Sequence, residues 1–340
     1  MGLVNAKCTN CGAVLKIDNA KEAAICEYCG SPFIIEKAIL NFNVGQFVNN
    51  TINAETVNIF TASSDFAIEA GVLKQYKGES LTVRVPDNVK RSQCVFPAGV
   101  TEVYYPDSVL SVNDKWPDSI QTVRLPSGLT SLAEGCFADC ARLAQVVLPK
   151  SLKIIGKECF KNCKSLQTID LPQGVEHIGE SAFYDSGLTE IVIPDTVKSI
   201  GRAAFGRTHI KHVDLPAVPE CIQTFIGCDD LESVTFAEGL QRMRGTFYSV
   251  DSIVDVNIPR SVTRIDGAFY FCHRLTKIFV PSTVQTVTAH SFDDCPVLTI
   301  CCEATKRPKG WDRKWDKDVY KRRSSKKVLW GVTEQEFNKL

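Results

Sequence analysis

The sequence has no apolar run that approaches the roughly 20 residues needed to cross a bilayer, which argues against a membrane protein. It also has no net charge, since 39 Lys and Arg balance 39 Asp and Glu, so its total charge indicates no particular class of partner. The start, MGLVNAKCTN, lacks the basic and apolar regions of a secretory signal and has no Ser or Thr at residue 6 for myristoylation. We therefore expect a cytoplasmic protein.

Motifs of common enzymes are also missing. There is no G-x-S-x-G, no H-E-x-x-H and no Gly-rich phosphate-binding loop. The few histidines fall at variable positions of a repeat described below, where a solvated side chain is expected. They are His177, His209, His212, His273 and His290. These absences predict a non-enzymatic protein.

Cysteine, in contrast, is abundant, with 15 residues. Four of them have the spacing of metal ligands, and most others recur beside a Phe in the repeat. This distribution is typical of thiols that are kept reduced, and it differs from the disulfide framework of a small secreted domain.

The four cysteines form C-x2-C, fourteen residues, then C-x2-C, with Gly12 and Gly30 after the two pairs. Two such pairs on neighbouring hairpins supply four thiolates to one ion and leave no open position for water, which predicts a structural zinc site. A rubredoxin-like iron site and a redox dithiol are alternatives. The segments CTNCG and CEYCGSPF resemble the zinc ribbons at the start of many bacterial proteins, some of which bind nucleic acid and many of which mediate protein contacts. The predicted ligands are Cys8, Cys11, Cys26 and Cys29.

From residue 122 onward the sequence repeats, mostly every 22 or 23 residues, and eight units are legible. Each unit opens with alternating apolar residues, which predicts a short strand. A proline, which cannot donate a ladder hydrogen bond, then ends the strand in every unit but the sixth, where Ala237 takes its place. These prolines are Pro126, Pro149, Pro172, Pro194, Pro216, Pro259 and Pro281.

Each unit also has one Phe, and a small side chain usually follows three residues later. No unit can bury its apolar face alone, so the units must stack and the rings should form a column. Ser, Thr and Val replace Cys at some of the small positions, so the thiol itself is dispensable there. The column residues are Phe137, Phe160, Phe183, Phe205, Phe225, Phe247, Phe269 and Phe292.

The shared pattern [IV]-x-[LI]-P-x-x-[VL]-x-x-I-G-x-x-A-F-x-x-C-x-x-L resembles the BspA-like class of leucine-rich repeats over residues 66–331. The resemblance implies a mainly β solenoid, a horseshoe of short strands with turns or short helices. It also implies a C-terminal cap in about residues 296–331, where Pro308, Trp311 and Trp315 cover the last coil. Residues 1–37 then form the zinc ribbon, 38–65 a β-rich linker or leading coil, and 332–340 a tail.

Before the regular array, the prolines Pro86, Pro97, Pro106, Pro117 and Pro126 are 11, 9, 11 and 9 residues apart. This shorter rhythm predicts compressed coils that keep the strand and lose the Phe-containing turn.

Outward positions of the strand line should form the recognition surface of a horseshoe. Their chemistry is mixed, with Arg and Tyr near the N-terminal end and acids in the middle, which favours binding of a protein or peptide. The predicted partner-binding residues are Arg84, Tyr104, Arg124, Asp170, Asp214, Asn257 and Phe279.

The C-terminal end is basic, with eleven Lys or Arg against three Asp in residues 306–327. Together with the zinc ribbon it offers an alternative function, the binding of nucleic acid or of an anionic surface. The tryptophans among these charges are accounted for by the cap, so a solvated cap is the favoured interpretation.

Overall fold

The computed structural model describes residues 65–316 and 326–340 in full and, nearer the N-terminus, the backbone of four short strands. The chain divides into two compact units, Met1–Ile59 and Phe60–Leu340. Within the described residues, no helix has the length and apolar character that a membrane span requires.

The first unit contains two antiparallel hairpins. Their strands are β1 (Leu3–Lys7), β2 (Val14–Asp18), β3 (Ala23–Ile25) and β4 (Pro32–Ile34). β1 pairs with β2, and β3 pairs with β4. One C-x2-C pair falls in each hairpin connection, within residues 8–13 and 26–31. The predicted zinc ligands lie outside the described residues: Cys8, Cys11, Cys26 and Cys29.

The second unit begins with an antiparallel hairpin of β5 (Phe66–Glu69) and β6 (Val72–Tyr76). Its turn residues Ala70 and Gly71 both have positive φ, at 48° and 74°. On its other side β6 pairs in parallel with Arg91–Val95 of the next coil, so β5 forms the edge of that sheet. The hairpin therefore covers the first edge of the repeat array.

The coils that follow are solenoid turns that stack their strands in parallel. The strand line that precedes the proline in the units of the regular array forms what we call the first ladder. Its strands are β7 (Thr82–Arg84), β9 (Glu102–Tyr104), β11 (Thr122–Arg124), β13 (Gln145–Val147), β17 (His212–Leu215), β19 (Ser233–Phe236), β21 (Asp255–Val256), β23 (Lys277–Val280), β25 (Thr299–Cys302) and β26 (Lys327–Trp330).

A second strand line, not predicted from the sequence, follows the proline turns. In most coils the backbone N–H three residues after the proline donates to the proline carbonyl, which closes a β-turn and redirects the chain. The strands of this second ladder are β8 (Arg91–Val95), β10 (Ser111–Val112), β12 (Ser131–Leu132), β14 (Ile154–Ile155), β15 (His177–Ile178), β16 (Ser199–Ile200), β18 (Glu220–Ile222), β20 (Arg242–Arg244), β22 (Arg264–Asp266) and β24 (Thr286–Val287).

The first ladder is interrupted in the middle of the array. Residues 168–170 and 190–192 do not form ladder strands, although the repeat predicts one in every unit. Ile169 and Ile191 are nevertheless buried in the core, so their side chains point inward although these segments do not pair as strands.

The N-terminal coils differ from their prediction. Pro86 and Pro106 follow strands of the first ladder, whereas Pro97 and Pro117 follow strands of the second. Thr82 pairs with Glu102, so one coil takes twenty residues and spans two proline intervals. The 11 and 9 residue rhythm therefore marks the two halves of one coil.

The eight predicted phenylalanines form a column, which confirms the central prediction. All eight rings are fully buried, successive centroids are 5.2 to 6.0 Å apart, and the ring planes lie within 21° of parallel. The column continues toward the N-terminus through Trp116 and Phe96, which stack at 5.2 and 5.5 Å. The compressed coils therefore lack the positive-φ turn that surrounds the other column residues, as predicted, but they keep an aromatic ring in the column, which was not predicted.

The turn around each column Phe has a conserved geometry along the array. The residues two before and two after the Phe have positive φ in all eight units, as Ser181 (53°) and Asp185 (58°) do around Phe183. The glycine of the I-G pair allows close stacking, since a Cβ on Gly179 would lie 2.6 Å from the backbone of Gly156. The backbone conformation of these turns therefore restricts which residues can occupy them, as side-chain volume does.

The small residue after the column Phe connects neighbouring coils. Cys163 Sγ donates to the Phe137 carbonyl at 3.1 Å, and Cys295 Sγ donates to the Phe269 carbonyl at 2.9 Å. Burial raises the pKa of the Cys140 thiol to about 12. All eleven cysteines of the described residues are free and buried, so they are poor nucleophiles at neutral pH.

The C-terminal end is closed by tryptophans, as the resemblance implies. Trp311 and Trp315 are buried with ring centroids 4.8 Å apart, and Trp315 contacts Phe292 at the end of the column. Trp311 Nε1 donates to the Val284 carbonyl at 3.0 Å. After β26, a single helical turn follows, α1 (Glu334–Phe337), which is the one α-helix in the described residues.

Candidate interaction surface

The N-terminal part of the first ladder presents a basic and aromatic column. Val83, Val103 and Val123 point into the core, so the next residue of each strand points outward. Arg84 pairs in register with Tyr104, and Tyr104 with Arg124. Three of the predicted partner-binding residues are therefore adjacent on one face.

Contacts within this column fix the aromatic ring. The Arg84 guanidinium carbon lies 4.8 Å from the centroid of the Tyr104 ring, in a cation–π contact. Tyr104 Oη donates to Glu102 Oε2 at 3.2 Å. Partial burial, with the nearby Glu102 carboxylate, raises the pKa of Tyr104, so its hydroxyl stays protonated at neutral pH. Arg124 is exposed and its guanidinium has no ion-pair partner within residues 65–316 and 326–340.

The middle of the first ladder combines acidic and apolar side chains. Asp170 and Asp214 are exposed, as predicted. On the same outward line, Val147 (43% exposed) lies one coil before Asp170, and Val192 (79% exposed) lies between Asp170 and Asp214. The surface from Arg84 to Asp214 is thus open and changes from basic and aromatic to acidic and apolar.

Two predicted residues are already engaged within the chain. Asn257 Oδ1 accepts from the Phe236 backbone N–H at 3.0 Å, and its Nδ2 donates to the Phe236 carbonyl at 3.3 Å. This amide extends the ladder where β21 ends. Phe279 is only 8% exposed because Phe337 of α1 covers it, with ring centroids 5.6 Å apart. The sequence predicted both on the open face; Asn257 is exposed there, whereas Phe279 is covered.

An ion-pair network holds the α1 segment over this end of the ladder. Arg260 donates to both carboxylate oxygens of Glu303 at 3.1 Å and to Glu334 Oε2 at 3.0 Å. The hydrogen bonds from Arg260 lower the pKa of Glu303 to about 2. Lys277 Nζ lies 5.0 Å from the Phe337 ring centroid. The chain's own C-terminal segment therefore limits the open surface to the coils before it.

Four of the five histidines hydrogen-bond to a neighbouring coil, and His290 bonds to Asp293 within its own turn. His209 Nδ1 lies 2.7 Å from Asp230 Oδ2, and His212 Nδ1 lies 2.8 Å from Ser233 Oγ. Within the part of the chain that the structure describes, no three His, Cys, Asp or Glu side chains converge on a common metal-binding point. The sequence predicted solvated side chains, and four of the five histidines are exposed, whereas His273 is half-buried.

The basic end has exposed charges around a buried aromatic core. Since Trp311 and Trp315 are buried, they are not available to stack on bases. The exposed cations that the structure describes here are Lys306, Arg307, Lys309, Arg313, Lys314 and Lys327.

A groove that sequence reasoning missed lies beside the second ladder, between Arg202 and His290. The sequence signal for this groove is the number of residues between the second strand and the column Phe. The inward residue of the second strand precedes the column Phe by five positions in most units, but by four at Cys221, Met243 and Ile265. In three successive coils the segment between the second strand and the column Phe is thus one residue shorter, and residues of these three segments line the groove.

Comparison with known protein families identifies the same repeat. The family model described as the BspA type leucine-rich repeat region matches in six copies, over residues 115–224 and 221–306. No curated protein matches the chain.

Several crystal structures of leucine-rich repeat proteins are similar. One from Bacteroides ovatus is 18% identical, with 78% of this chain and 97% of that chain covered and a TM-score of 0.44. A leucine-rich cell surface protein from Faecalibacterium prausnitzii is 18% identical, with 82% and 96% covered and a TM-score of 0.37. The T. pallidum leucine-rich repeat protein is 24% identical, with 63% and 90% covered and a TM-score of 0.40. Since the family model spans more than half of the sequence, the chain belongs to the BspA type leucine-rich repeat family.

Proposed function

We propose that this chain is a non-enzymatic interaction scaffold that binds a protein or peptide on the open part of its first ladder. The observation that carries the proposal is the in-register outward column Arg84, Tyr104 and Arg124, which brings two cations and an aromatic ring together on one face of the first ladder. Arg and Tyr are the residue types most enriched at the energetic centres of protein interfaces.

The dimensions of the surface support the same function. From Arg84 to Asp214 the outward line crosses seven coils, and neighbouring strands lie about 4.8 Å apart, which gives a surface roughly 30 Å long. A standard interface takes about 800 Å² from each partner, so a surface of this length is sufficient. The exposed Val147 and Val192 add apolar area next to the basic end.

The test is a triple variant, Arg84→Ala with Tyr104→Ala and Arg124→Ala. We expect it to recover at least about tenfold less partner than the unmodified chain in affinity purification from native cells, quantified by mass spectrometry, because truncation of central Arg and Tyr anchors typically costs 2 kcal/mol or more. The three side chains are outward, so the thermal unfolding midpoint should change little.

The matched control replaces two exposed arginines on other faces, Arg142→Ala with Arg274→Ala, and should recover partner as the unmodified chain does. Equal recovery by the triple variant, or the absence of any enriched protein, would contradict recognition by the first ladder.

We also propose one structural zinc ion bound by Cys8, Cys11, Cys26 and Cys29. In the sequence, one C-x2-C pair falls between β1 and β2 and the other between β3 and β4, and two such pairs can supply four thiolates to one ion. Four protein ligands complete a tetrahedral site, so the ion would supply folding free energy and no chemistry.

A second candidate function is the binding of nucleic acid or an anionic surface through the ribbon and the basic cap. The exposed cations around Lys309 and Arg313 support it, whereas the burial of Trp311 argues against base stacking. This function predicts a gel shift with single- or double-stranded probes at about 50 mM salt that weakens steeply as salt is raised. If neither probe shifts, the second candidate fails and the scaffold proposal stands alone.

A further inference from the structure

The groove beside the second ladder has a definite construction. Its floor contains Gly245 and Gly267, whose φ angles are both 56°. A Cβ on Gly267 would have no atom within 4 Å, so the space above this residue is open. The groove measures about 690 Å³, which is in the range of volumes that hold a ligand or a short peptide segment.

The groove is basic. Arg244 is exposed, and its guanidinium has no hydrogen-bond or ion-pair partner among the described residues. Arg202 donates from Nε to Gln223 Oε1 at 2.6 Å, which orients the guanidinium and leaves its terminal nitrogens to other acceptors. Both side chains line the same groove.

Asp266, the acidic residue of the groove, is neutralised by two arginines that do not line the groove. Asp266 accepts from Arg242 Nε at 2.6 Å and from Arg264 Nε at 2.8 Å. Hydrogen bonds from these arginines lower the pKa of Asp266 although its partial burial opposes the shift. Since neither Arg242 nor Arg264 lines the groove, the charge offered to a ligand is that of Arg202 and Arg244.

One wall of the groove is aromatic. Tyr248 and Tyr270 stack with centroids 5.1 Å apart, and Tyr248 is 37% exposed. Phe271 packs its edge against Tyr270 at 4.3 Å. Such a cluster of rings on the surface of a solenoid contributes nothing to the buried column, and it offers apolar area beside two cations.

We infer that this groove binds an extended, acidic peptide segment of a protein partner, along the axis of the solenoid. Arg202 and Arg244 are two coils apart, so they are separated by roughly 10 Å along that axis. In an extended peptide, acidic side chains two to four residues apart are about 7 to 13 Å apart, which matches this separation. The inference rests on the proposed function and adds a second recognition surface to it.

The test uses the purified full chain and rhodamine-labelled nonapeptides in which alanine alternates with glutamate, glutamine or lysine, followed by fluorescence anisotropy at low salt. We expect the glutamate peptide to bind at least about tenfold more tightly than the glutamine peptide. The charge-reversed variant Arg202→Glu with Arg244→Glu should lose at least that factor and should gain binding of the lysine peptide. Arg202→Gln with Arg244→Gln serves as the neutral variant and should lose binding without that gain.

Arg142→Glu with Arg274→Glu makes the same change in net charge away from the groove, and it should bind the glutamate peptide within about twofold of the unmodified chain. If this control loses as much as the groove variant, the binding is general electrostatics and the inference is overturned. It is equally overturned if the unmodified chain does not distinguish glutamate from glutamine.

The first-ladder variant Arg84→Ala with Tyr104→Ala and Arg124→Ala separates this inference from the proposed function. It should bind the glutamate peptide as tightly as the unmodified chain does, even where it loses the cellular partner. Loss of peptide binding in this variant would assign the peptide to the first ladder and overturn the groove.

Discussion

Replacement of Phe183 by alanine is expected to lower the free energy of unfolding by about 3–5 kcal/mol. Its ring is fully buried in the middle of the column, with Phe160 at 5.2 Å on one side and Phe205 at 5.6 Å on the other. In a solenoid each coil is stabilised mainly by its neighbours, so one cavity weakens two coil interfaces at once. Denaturant unfolding followed by circular dichroism measures the loss.

Two controls separate column packing from the general effect of removing a ring. Phe183→Leu keeps most of the apolar volume and should cost roughly 1.5 kcal/mol or less. Phe271→Ala removes the same atoms from a half-buried ring outside the column, which contacts Tyr248, Tyr270 and His273, and should cost about 1 kcal/mol. A cost for Phe183→Ala as small as that of Phe271→Ala would show that the column does not hold the coils together.

The column could be predicted because a large aromatic side chain recurs at nearly constant spacing, and nothing except a stack of equivalent coils explains that regularity. The same spacing of aromatic residues extends beyond the eight units that we predicted. Phe96 and Trp116 precede Phe137 at intervals of 20 and 21 residues, and they occupy the same column. The aromatic spacing therefore carried more information than the proline spacing, which mixes the two halves of a coil.

The second ladder could not be predicted from alternation. Its central strands have two residues, with one buried side chain each, as in Ile155 and Ile178. A single apolar residue shows no periodicity, so the sequence is equally consistent with a turn at this place. These strands exist because the neighbouring coils pair with them, so they are a property of the stack rather than of the segment.

The exposure of some surface residues could not be predicted, because it depends on contacts between segments that are distant in the sequence. The outward position of Phe279 followed from its strand, but its burial follows from Phe337, nearly sixty residues later, in a segment predicted to be a tail. The groove similarly requires Arg202, Arg244 and Tyr270 to meet across coils. Its only trace in the sequence is the single residue that three units lack.

Replacement of Cys11 by serine is expected to abolish zinc binding and to unfold the N-terminal unit. A sequence of about sixty residues is short for a domain that folds on an apolar core alone. Structural zinc supplies about 10–16 kcal/mol in comparable peptides, so loss of one thiolate removes most of the folding free energy. Elemental analysis should give one zinc per unmodified chain and none for Cys11→Ser, and the dispersed amide signals of the first unit should collapse.

The matched control is Cys163→Ser, a change that the repeat itself makes at Ser186, and it should retain one zinc per chain. Thiol titration adds a second readout. In the folded chain a chelator should make four of the fifteen cysteines reactive, because the eleven of the described residues are buried, and burial raises the pKa of thiols such as Cys140 to about 12. One iron per chain would instead establish the rubredoxin-like alternative, and a metal-free chain with two fewer thiols after mild oxidation would establish the redox dithiol. Unchanged zinc in Cys11→Ser would place the ion elsewhere, since a tetrahedral four-cysteine site cannot lose a ligand without a large loss of affinity.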